Sequence, residues 1–192
     1  MEAQPHLTFL QRWDRKLHLT YAGLERLFQK QADPWHFASS LYERNRFAKM
    51  LKLMHCVPHA RILEVGCAEG HFTQHLLRLS SAVTAIDLSA EAIERAKCRA
   101  PGAQFFTSTL EDFRVENERY DVVVCGEMLY YVDDIDAAVN KLRQLGRYLV
   151  TSTCFPSALR INAKLARYRL LDRVIHVRVR EFKATSIRLW EL

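Results

Sequence analysis

Between Arg61 and Val150 the chain alternates short apolar runs with segments of helical hydrophobic spacing, and this alternation constrains the fold most. The apolar runs predict strands at Arg61–Val65, Val83–Ile86, Gln104–Phe106, Tyr120–Cys125 and Arg147–Val150. Helical spacing falls between most of them, near residues 71–80, 90–99 and 134–144. Strands that are apolar on both faces belong to parallel sheets covered by helices. We therefore predict a doubly wound, Rossmann-like α/β domain.

The C-terminal part predicts the completion of the sheet. Pro156 suits the first turn of a helix, and apolar residues at helical spacing follow it as far as Leu170. Val174–Phe182 and Thr185–Leu192 then predict two strands with a tight connection. The expected sheet is mostly parallel and has seven strands, with an antiparallel hairpin at its C-terminal end.

Two amphipathic helices precede the core. Apolar residues recur at steps of three and four from Leu10 to Phe28, and this helix should end near Asp33-Pro34. Ser40 and Glu43 have the spacing of a capping box that opens a second helix over about residues 40–55. We expect residues 1–57 to form a helical cap and residues 58–192 the core, within one compact domain, because 192 residues suit a single domain.

Composition excludes several classes of protein. With 49% hydrophobic residues and a net charge of +6, the chain is neither disordered nor of low complexity. It lacks a signal-peptide pattern and any run of about 18 apolar residues, so we expect a cytoplasmic protein without membrane contact. The five cysteines are never spaced C-x-x-C, and we expect them to be reduced and buried.

Two histidine pairs at i, i+4 raise the question of a metal site. These are His55/His59 and His71/His75, and the second lacks the glutamate of the H-E-x-x-H motif. We therefore predict no metal site.

Basic residues concentrate near the C-terminus. Residues 160–188 contain nine Lys or Arg against two acidic residues. Such a segment can attract phosphates or an acidic partner. Its arginines alternate with apolar residues, however, so a charged solvent face is the favoured interpretation.

A small-residue turn follows the first predicted strand. Gly66 and Gly70 allow a backbone to approach a ligand closely. Dinucleotide binding uses G-x-G-x-x-G, but here Ala68 replaces the second glycine and His71 the third. The spacing disfavours NAD.

Asp87 ends the second predicted strand, 17 residues after Gly70. Its carboxylate can accept hydrogen bonds from both ribose hydroxyls of an adenosyl ligand. The alternative is that the glycines serve only a tight turn and that Asp87 caps the next helix.

These motifs resemble those of class I S-adenosylmethionine-dependent methyltransferases. The matching features are Glu64-x-Gly66-x-Ala68-x-Gly70, Asp87 and the fourth-strand segment Tyr120–Tyr131, and the resemblance covers about residues 33–151. Within that superfamily, Asp33-Pro34-Trp35, Tyr42–Arg46, Gly66-Cys67-Ala68 and Leu129-Tyr130-Tyr131 resemble the nodulation protein S group. That resemblance implies S-adenosylmethionine as cofactor and a small-molecule acceptor, with an amino sugar or glycoconjugate as the best candidate.

The turn, Asp87 and the resemblance together predict a set of cofactor-binding residues: Trp35, Arg46, Glu64, Gly66, Cys67, Ala68, Gly70, Asp87, Leu88, Thr109, Leu110 and Glu127. Thr109 departs from the family pattern, which commonly has an acidic acceptor for the adenine amino group at this position. A hydroxyl accepts that bond more weakly than a carboxylate.

Methyl transfer is an in-line displacement that depends on placement and on exclusion of water. Four residues are candidates for handling the acceptor's proton: Glu127, Tyr130, Tyr131 and His36. Each has a structural alternative, since the tyrosines can wall the cleft, Glu127 can hold its loop, and His36 can be a solvated loop residue.

Two other functions stay open. RNA methylation is encouraged by the basic C-terminal segment, but the loop after strand four lacks an Asn/Asp-Pro-Pro-Tyr run, so we expect no nucleic-acid partner. The second open function is that of a protein that binds the cofactor without catalysing methyl transfer. The sequence predicts no particular oligomeric state.

Overall fold

The computed structural model describes residues 20–115, 119–178 and 183–192. The helices are α1 (Tyr21–Lys30), α2 (Leu41–Met54), α3 (Thr73–Leu76), α4 (Ala90–Arg99), α5 (Ile135–Leu145) and α6 (Ser157–Leu165), with a 3-10 turn at Leu129–Tyr131. The strands are β1 (Arg61–Val65), β2 (Ala82–Asp87), β3 (Gln104–Thr107), β4 (Tyr120–Gly126), β5 (Gly146–Cys154), β6 (Arg169–Arg178) and β7 (Lys183–Glu191).

The strands form one sheet in the order β3-β2-β1-β4-β5-β7-β6. Strands β1 to β5 pair in parallel, whereas β7 runs antiparallel to both β5 and β6. The predicted doubly wound, mostly parallel sheet with a C-terminal hairpin is confirmed. Within the described residues, no helix has both the length and the apolar character needed to cross a membrane.

Helices cover both faces of the sheet. One face packs against α5 and α6 through residues such as Val139 and Ile161, which are fully buried. The other face packs against α2 and α3 through Met50 and Leu76, also fully buried. With both faces covered, the carboxyl ends of the parallel strands are the place left for a ligand.

The helix predicted near residues 71–80 is much shorter than expected. Only Thr73–Leu76 is α-helical, because the chain then turns with i→i+3 bonds such as that from Leu79 N to the Leu76 carbonyl, at 2.9 Å. The first predicted helix is seen from Tyr21 onward, and its expected part before residue 20 lies outside the described residues.

Helix α6 ends at Leu165, so the prediction that helical spacing extends to Leu170 is wrong. Leu170 instead pairs with Trp190 in the hairpin, since β6 begins at Arg169. The predicted connection of the hairpin lies outside the described residues. The cysteines carry no disulfide, but Cys56 and Cys98 are exposed, contrary to the expectation that all five are buried.

The interior strand β5 offers a test of the core. Leu149 is fully buried in the sheet, whereas Leu159 on α6 is 66% exposed. We expect Leu149→Ala to lower the free energy of unfolding by about 2–5 kcal/mol, because it removes buried methyl groups and leaves a cavity. Leu159→Ala should change it by less than about 0.5 kcal/mol. Urea unfolding of the two variants measures the difference, and equal losses would contradict the assigned core.

Candidate cofactor and acceptor cleft

A cavity of about 1070 Å³ opens at the carboxyl ends of the strands. Its walls come from α1, the loop residues Pro34, Trp35 and Phe37, Glu43 on α2, the turn after β1, the end of β2, residues 108–111, the loop after β4 and Cys154. The sequence predicted several of these segments from separate motifs, and the parallel sheet brings them together.

The turn after β1 is held in left-handed backbone geometry. The φ angles are +75° at Gly66, +48° at Ala68 and +76° at Gly70. A Cβ on Gly66 would lie 2.8 Å from the Cβ of Met128, so that position has no room for a side chain. Ala68 adopts a positive φ despite its methyl group, and its N–H donates to Asp87 Oδ2 at 2.8 Å. The turn thus presents bare backbone to the cavity.

Asp87 lies on the cavity wall and is 8% exposed. Its Oδ1 accepts from Ser89 N at 3.0 Å, and burial raises its pKa although the backbone donors oppose that shift. Each carboxylate oxygen has two lone pairs, so each keeps capacity for one further donor. Asp87 therefore both braces the turn after β1 and can accept ligand hydroxyls. Leu88 lies beside it on the wall.

Arg46 is 2% exposed and anchors a polar chain behind the cavity. Its Nε donates to Glu43 Oε2 at 2.6 Å, and its Nη1 donates to Ser152 Oγ at 3.1 Å. Ser152 Oγ donates in turn to Glu127 Oε1 at 3.1 Å. Glu127 Oε2 accepts from Cys154 N at 2.9 Å, which ties the loop after β4 to the end of β5. These hydrogen bonds hold the carboxylates of Glu43 and Glu127 around the guanidinium of Arg46.

The charge on the main cavity wall is negative. Four carboxylates line it, from Glu43, Asp87, Glu111 and Glu127. Among the described residues on this wall there is no Lys, Arg or His. Arg46 lies instead on a separate small cavity of about 20 Å³, which Glu64 and Cys67 also line. A cationic or neutral ligand is therefore favoured over an anionic one.

Glu64 lies in the interior and does not line the main cavity. Its Oε2 accepts from Thr73 Oγ1 at 2.6 Å, and burial raises its pKa to about 8 although that hydrogen bond opposes the shift. Cys67 is similarly enclosed, and burial raises the pKa of its thiol. Both residues support the turn after β1 from behind.

Thr109, the predicted contact for the adenine amino group, has hydrogen-bond partners of its own. Thr109 lies on the cavity wall with Leu110, but its hydroxyl donates to Asp112 Oδ2 at 2.8 Å and accepts from Asp112 N at 3.1 Å. These two local bonds use the donor and one of the two lone pairs of the hydroxyl, so one lone pair stays open to a ligand donor.

Tyr130 and Tyr131 line the cavity, with ring centroids 4.6 Å apart. Burial raises the pKa of Tyr131 to about 12 and that of Tyr130 further above its ordinary value. Both phenols therefore stay protonated near neutral pH and serve as walls and hydrogen-bond donors rather than as bases. His36 is exposed and is not among the residues on this wall, so the structure does not bring it to the site.

Trp35 lies on the wall and packs against Phe28 and Phe37 at centroid distances of 5.2 and 5.9 Å. Tyr42 faces the hairpin and shares a 2.7 Å hydrogen bond with Thr185. The sequence analysis missed Glu43 as a site residue because its spacing from Ser40 fits a capping box. The structure forms only half of that box, with Glu43 N donating to Ser40 Oγ at 3.3 Å.

None of the described basic side chains from the C-terminal segment reaches the cleft wall. Several have local partners: Lys164 pairs with Asp136, Arg167 donates to Asn140, and Arg169 pairs with Glu191. These contacts fit the interpretation of a charged solvent face.

The strand order, the reversed seventh strand and the ligand cleft at the carboxyl strand ends define the class I methyltransferase fold. A family model described as "Nodulation protein S (NodS)" matches residues 21–158. The chain belongs to the nodulation protein S family.

Individual relatives agree with this assignment. Nodulation protein S of Rhizobium tropici is 38% identical over 145 residues, which are 70% of this chain and 60% of that protein. A ubiquinone biosynthesis O-methyltransferase of Xanthomonas campestris is 31% identical over 146 residues, 70% of this chain and 61% of that protein. Across four curated nodulation proteins S, the match spans 56–71% of their lengths.

A solved structure has the same fold. The N-methyltransferase NodS of Bradyrhizobium japonicum, in complex with S-adenosyl-L-homocysteine, superposes with a TM-score of 0.79 at 24% identity. The superposition covers 90% of this chain and 98% of that one.

The raised pKa of Glu64 predicts a pH dependence of stability. Between the unfolded pKa of about 4.3 and the folded value of about 8, the folded state keeps a proton that the unfolded state releases, so stability falls as pH rises through this window. Glu64→Gln removes this pH dependence of stability, because an amide does not titrate. At pH 8 the variant should gain on the order of a few kcal/mol relative to wild type, and at pH 4 almost nothing.

Urea unfolding from pH 4 to pH 8 measures this difference. Glu94→Gln is the matched control, because the Glu94 side chain is 69% exposed and should leave the pH dependence unchanged. Parallel stability curves for wild type and Glu64→Gln would contradict the buried, protonated carboxyl.

Proposed function

We propose that the protein transfers a methyl group from S-adenosylmethionine to an amine nitrogen of a small molecule. The observation that carries the proposal is the negative, largely apolar cleft at the carboxyl ends of β1, β2 and β4. Its four carboxylates favour a sulfonium cofactor and an amine acceptor over ligands that bear phosphate.

The residues of the cleft fit an adenosyl cofactor. Asp87 has free acceptor capacity for ribose hydroxyls, and the glycine turn gives backbone access beside it. Leu88 and Leu110 supply apolar wall for an adenine ring. We also assign Trp35, Ala68 and Glu127 to the cofactor region, with Arg46, Glu64, Cys67 and Gly70 supporting it from behind. When bound, the cofactor supplies an activated methyl group on a cationic sulfur.

The cleft chemistry favours nitrogen over oxygen as the methylated atom. A neutral amine becomes a methylated ammonium on transfer, and carboxylates placed nearby stabilise that developing positive charge. Glu127 and Glu43 are held for this by Ser152 and Arg46. A hydroxyl acceptor would need a base, and neither tyrosine on the wall supplies one, because both phenols stay protonated.

The relatives support the proposal and its acceptor class. The superposed NodS structure is described as an N-methyltransferase, and an amino sugar or a related glycoconjugate is our preferred acceptor. O-methyl transfer is the second candidate, because ubiquinone biosynthesis O-methyltransferases are also about 31% identical to the chain. We further place the protein in the cytoplasm, in keeping with its five free cysteines.

We also propose that α1, in the N-terminal segment, covers the cleft. Tyr21, Leu24 and Phe28 on α1 face the cavity, and the Tyr21 hydroxyl donates to Glu111 Oε2 at 3.5 Å across its mouth. Exclusion of water by this cover would strengthen the electrostatic stabilisation inside.

A pair of matched acceptors tests the function. With S-adenosylmethionine, we expect methyl transfer to a glucosamine oligomer that carries one free amine and none to its fully N-acetylated counterpart. Glu127→Gln and Glu43→Gln should each lower kcat by about tenfold to a hundredfold, since each removes charge that stabilises the ammonium. Glu94→Gln, on the outer face of α4, should leave kcat unchanged. Mass spectrometry of the products measures both outcomes.

Three results would overturn the proposal. Transfer to the acetylated oligomer would place the methyl group on oxygen, and transfer to RNA would favour the nucleic-acid alternative. Cofactor binding without turnover on either type of acceptor would favour a catalytically silent binding protein.

A further inference from the structure

Three potential ligand atoms from two segments of the chain converge at the turn after β1. Asp33 lies in the loop between α1 and α2, whereas Glu69 and His71 lie in and just after the glycine turn. One atom from each of the three residues lies within 4.8 Å of the other two. Nothing in the mechanism proposed above uses this cluster.

His71 is the unusual member of the cluster. It is 8% exposed, and its Nε2 is buried without a hydrogen-bond partner among the described residues. That nitrogen lies 3.7 Å from Asp33 Oδ1 and 3.7 Å from Glu69 Oε2, which is too far for a hydrogen bond. A buried nitrogen without a hydrogen-bond partner carries a desolvation cost that a bound ion would offset.

The spacing suits a small metal ion. Ligands about 2.0–2.2 Å from a tetrahedral ion lie roughly 3.4 Å from one another, close to the two observed separations. One imidazole with two carboxylates is a ligand set for Zn²⁺ and similar transition-metal ions. We propose that Asp33, Glu69 and His71 form a binding site for a divalent transition-metal ion, with water as the fourth ligand.

The surrounding contacts leave one acceptor site open on each carboxylate ligand atom. Among the described residues, Asp33 Oδ1 accepts one hydrogen bond, from Phe37 N at 2.7 Å, and Glu69 Oε2 accepts one, from Asp33 N at 3.0 Å. Arg95 Nη1 holds the other oxygen of Glu69 at 2.7 Å and so orients the carboxylate, as outer-shell groups do in metal sites. Arg95 and Arg99 also offset the acidic charge, which makes the site one of modest affinity.

The position of the proposed site indicates that a bound ion would have a structural role. Asp33 immediately precedes Pro34 and Trp35 on the cavity wall, and Glu69 immediately follows Ala68, which also lines the cavity. A bound ion would therefore fasten the loop between α1 and α2 to the turn after β1. The spacing of the histidine pairs predicted no metal site, whereas these three residues are brought together by the fold.

Titration with Zn²⁺ and Co²⁺ tests the site, using the full chain without an affinity tag. His55 and His59 have ring centroids 5.9 Å apart and could bind metal adventitiously, so the reference protein carries His55→Gln and His59→Gln. Calorimetry should show one equivalent of Zn²⁺ on this reference. Co²⁺ should give the intense visible absorption of tetrahedral coordination, and Zn²⁺ should raise the Tm.

We expect His71→Gln and Asp33→Asn, each added separately to the reference protein, to weaken Zn²⁺ binding by at least about tenfold. Loss of an outer-shell partner alone costs about that much affinity, and these residues are proposed as direct ligands. His75→Gln is the matched control, because His75 is close in sequence but outside the cluster, and it should leave the affinity unchanged. Thermal unfolding without metal checks that each variant folds. The proposal is overturned if the reference shows no saturable binding, or if His71→Gln and Asp33→Asn both bind as the reference does.

Discussion

The hydrogen bond from Ala68 N to Asp87 Oδ2, at 2.8 Å, is the contact on which the cleft depends. It joins the turn after β1 to the end of β2, two strands paired in parallel through Val65 and Ile86. The bond requires the backbone N–H of Ala68 to point at the neighbouring strand, and the positive φ angles of the turn provide that direction. A ligand then meets bare backbone on one side and a fixed carboxylate on the other.

The second constraint is the distribution of charge. The guanidinium of Arg46 is buried and satisfied by Glu43 and Ser152, so its charge serves to position carboxylates rather than to attract anions into the main cavity. Removing one member of such a buried pair leaves the other uncompensated, at a cost of about 3–5 kcal/mol. The loop after β4 is fixed through Glu127, which connects fold stability to the electrostatics of the cleft.

The fold and part of the site could be predicted from sequence because their signals are local. Alternating apolar runs predicted the strands, and the spacing of Gly66, Gly70 and Asp87 predicted the ligand end of the sheet. Contacts made by tertiary structure could not be predicted this way. Glu43 fits a capping box in sequence but lies on the cavity wall, and His36 stands beside Trp35 in sequence yet lies on the surface. Leu170 fitted a helical pattern, but strand pairing with Trp190 prevailed.

Calorimetric titration with S-adenosyl-L-homocysteine tests most directly whether this cleft is an adenosyl-cofactor site. We expect saturable binding at one site per chain, strongly weakened in Asp87→Asn and in Gly66→Ala, whose added Cβ would meet Met128 at 2.8 Å. Gly102→Ala, where a Cβ would find only ordinary contact at 3.4 Å with Leu77, should bind as wild type does. Unchanged affinity in Asp87→Asn, or tighter binding of NADH than of the adenosyl ligand, would contradict the account.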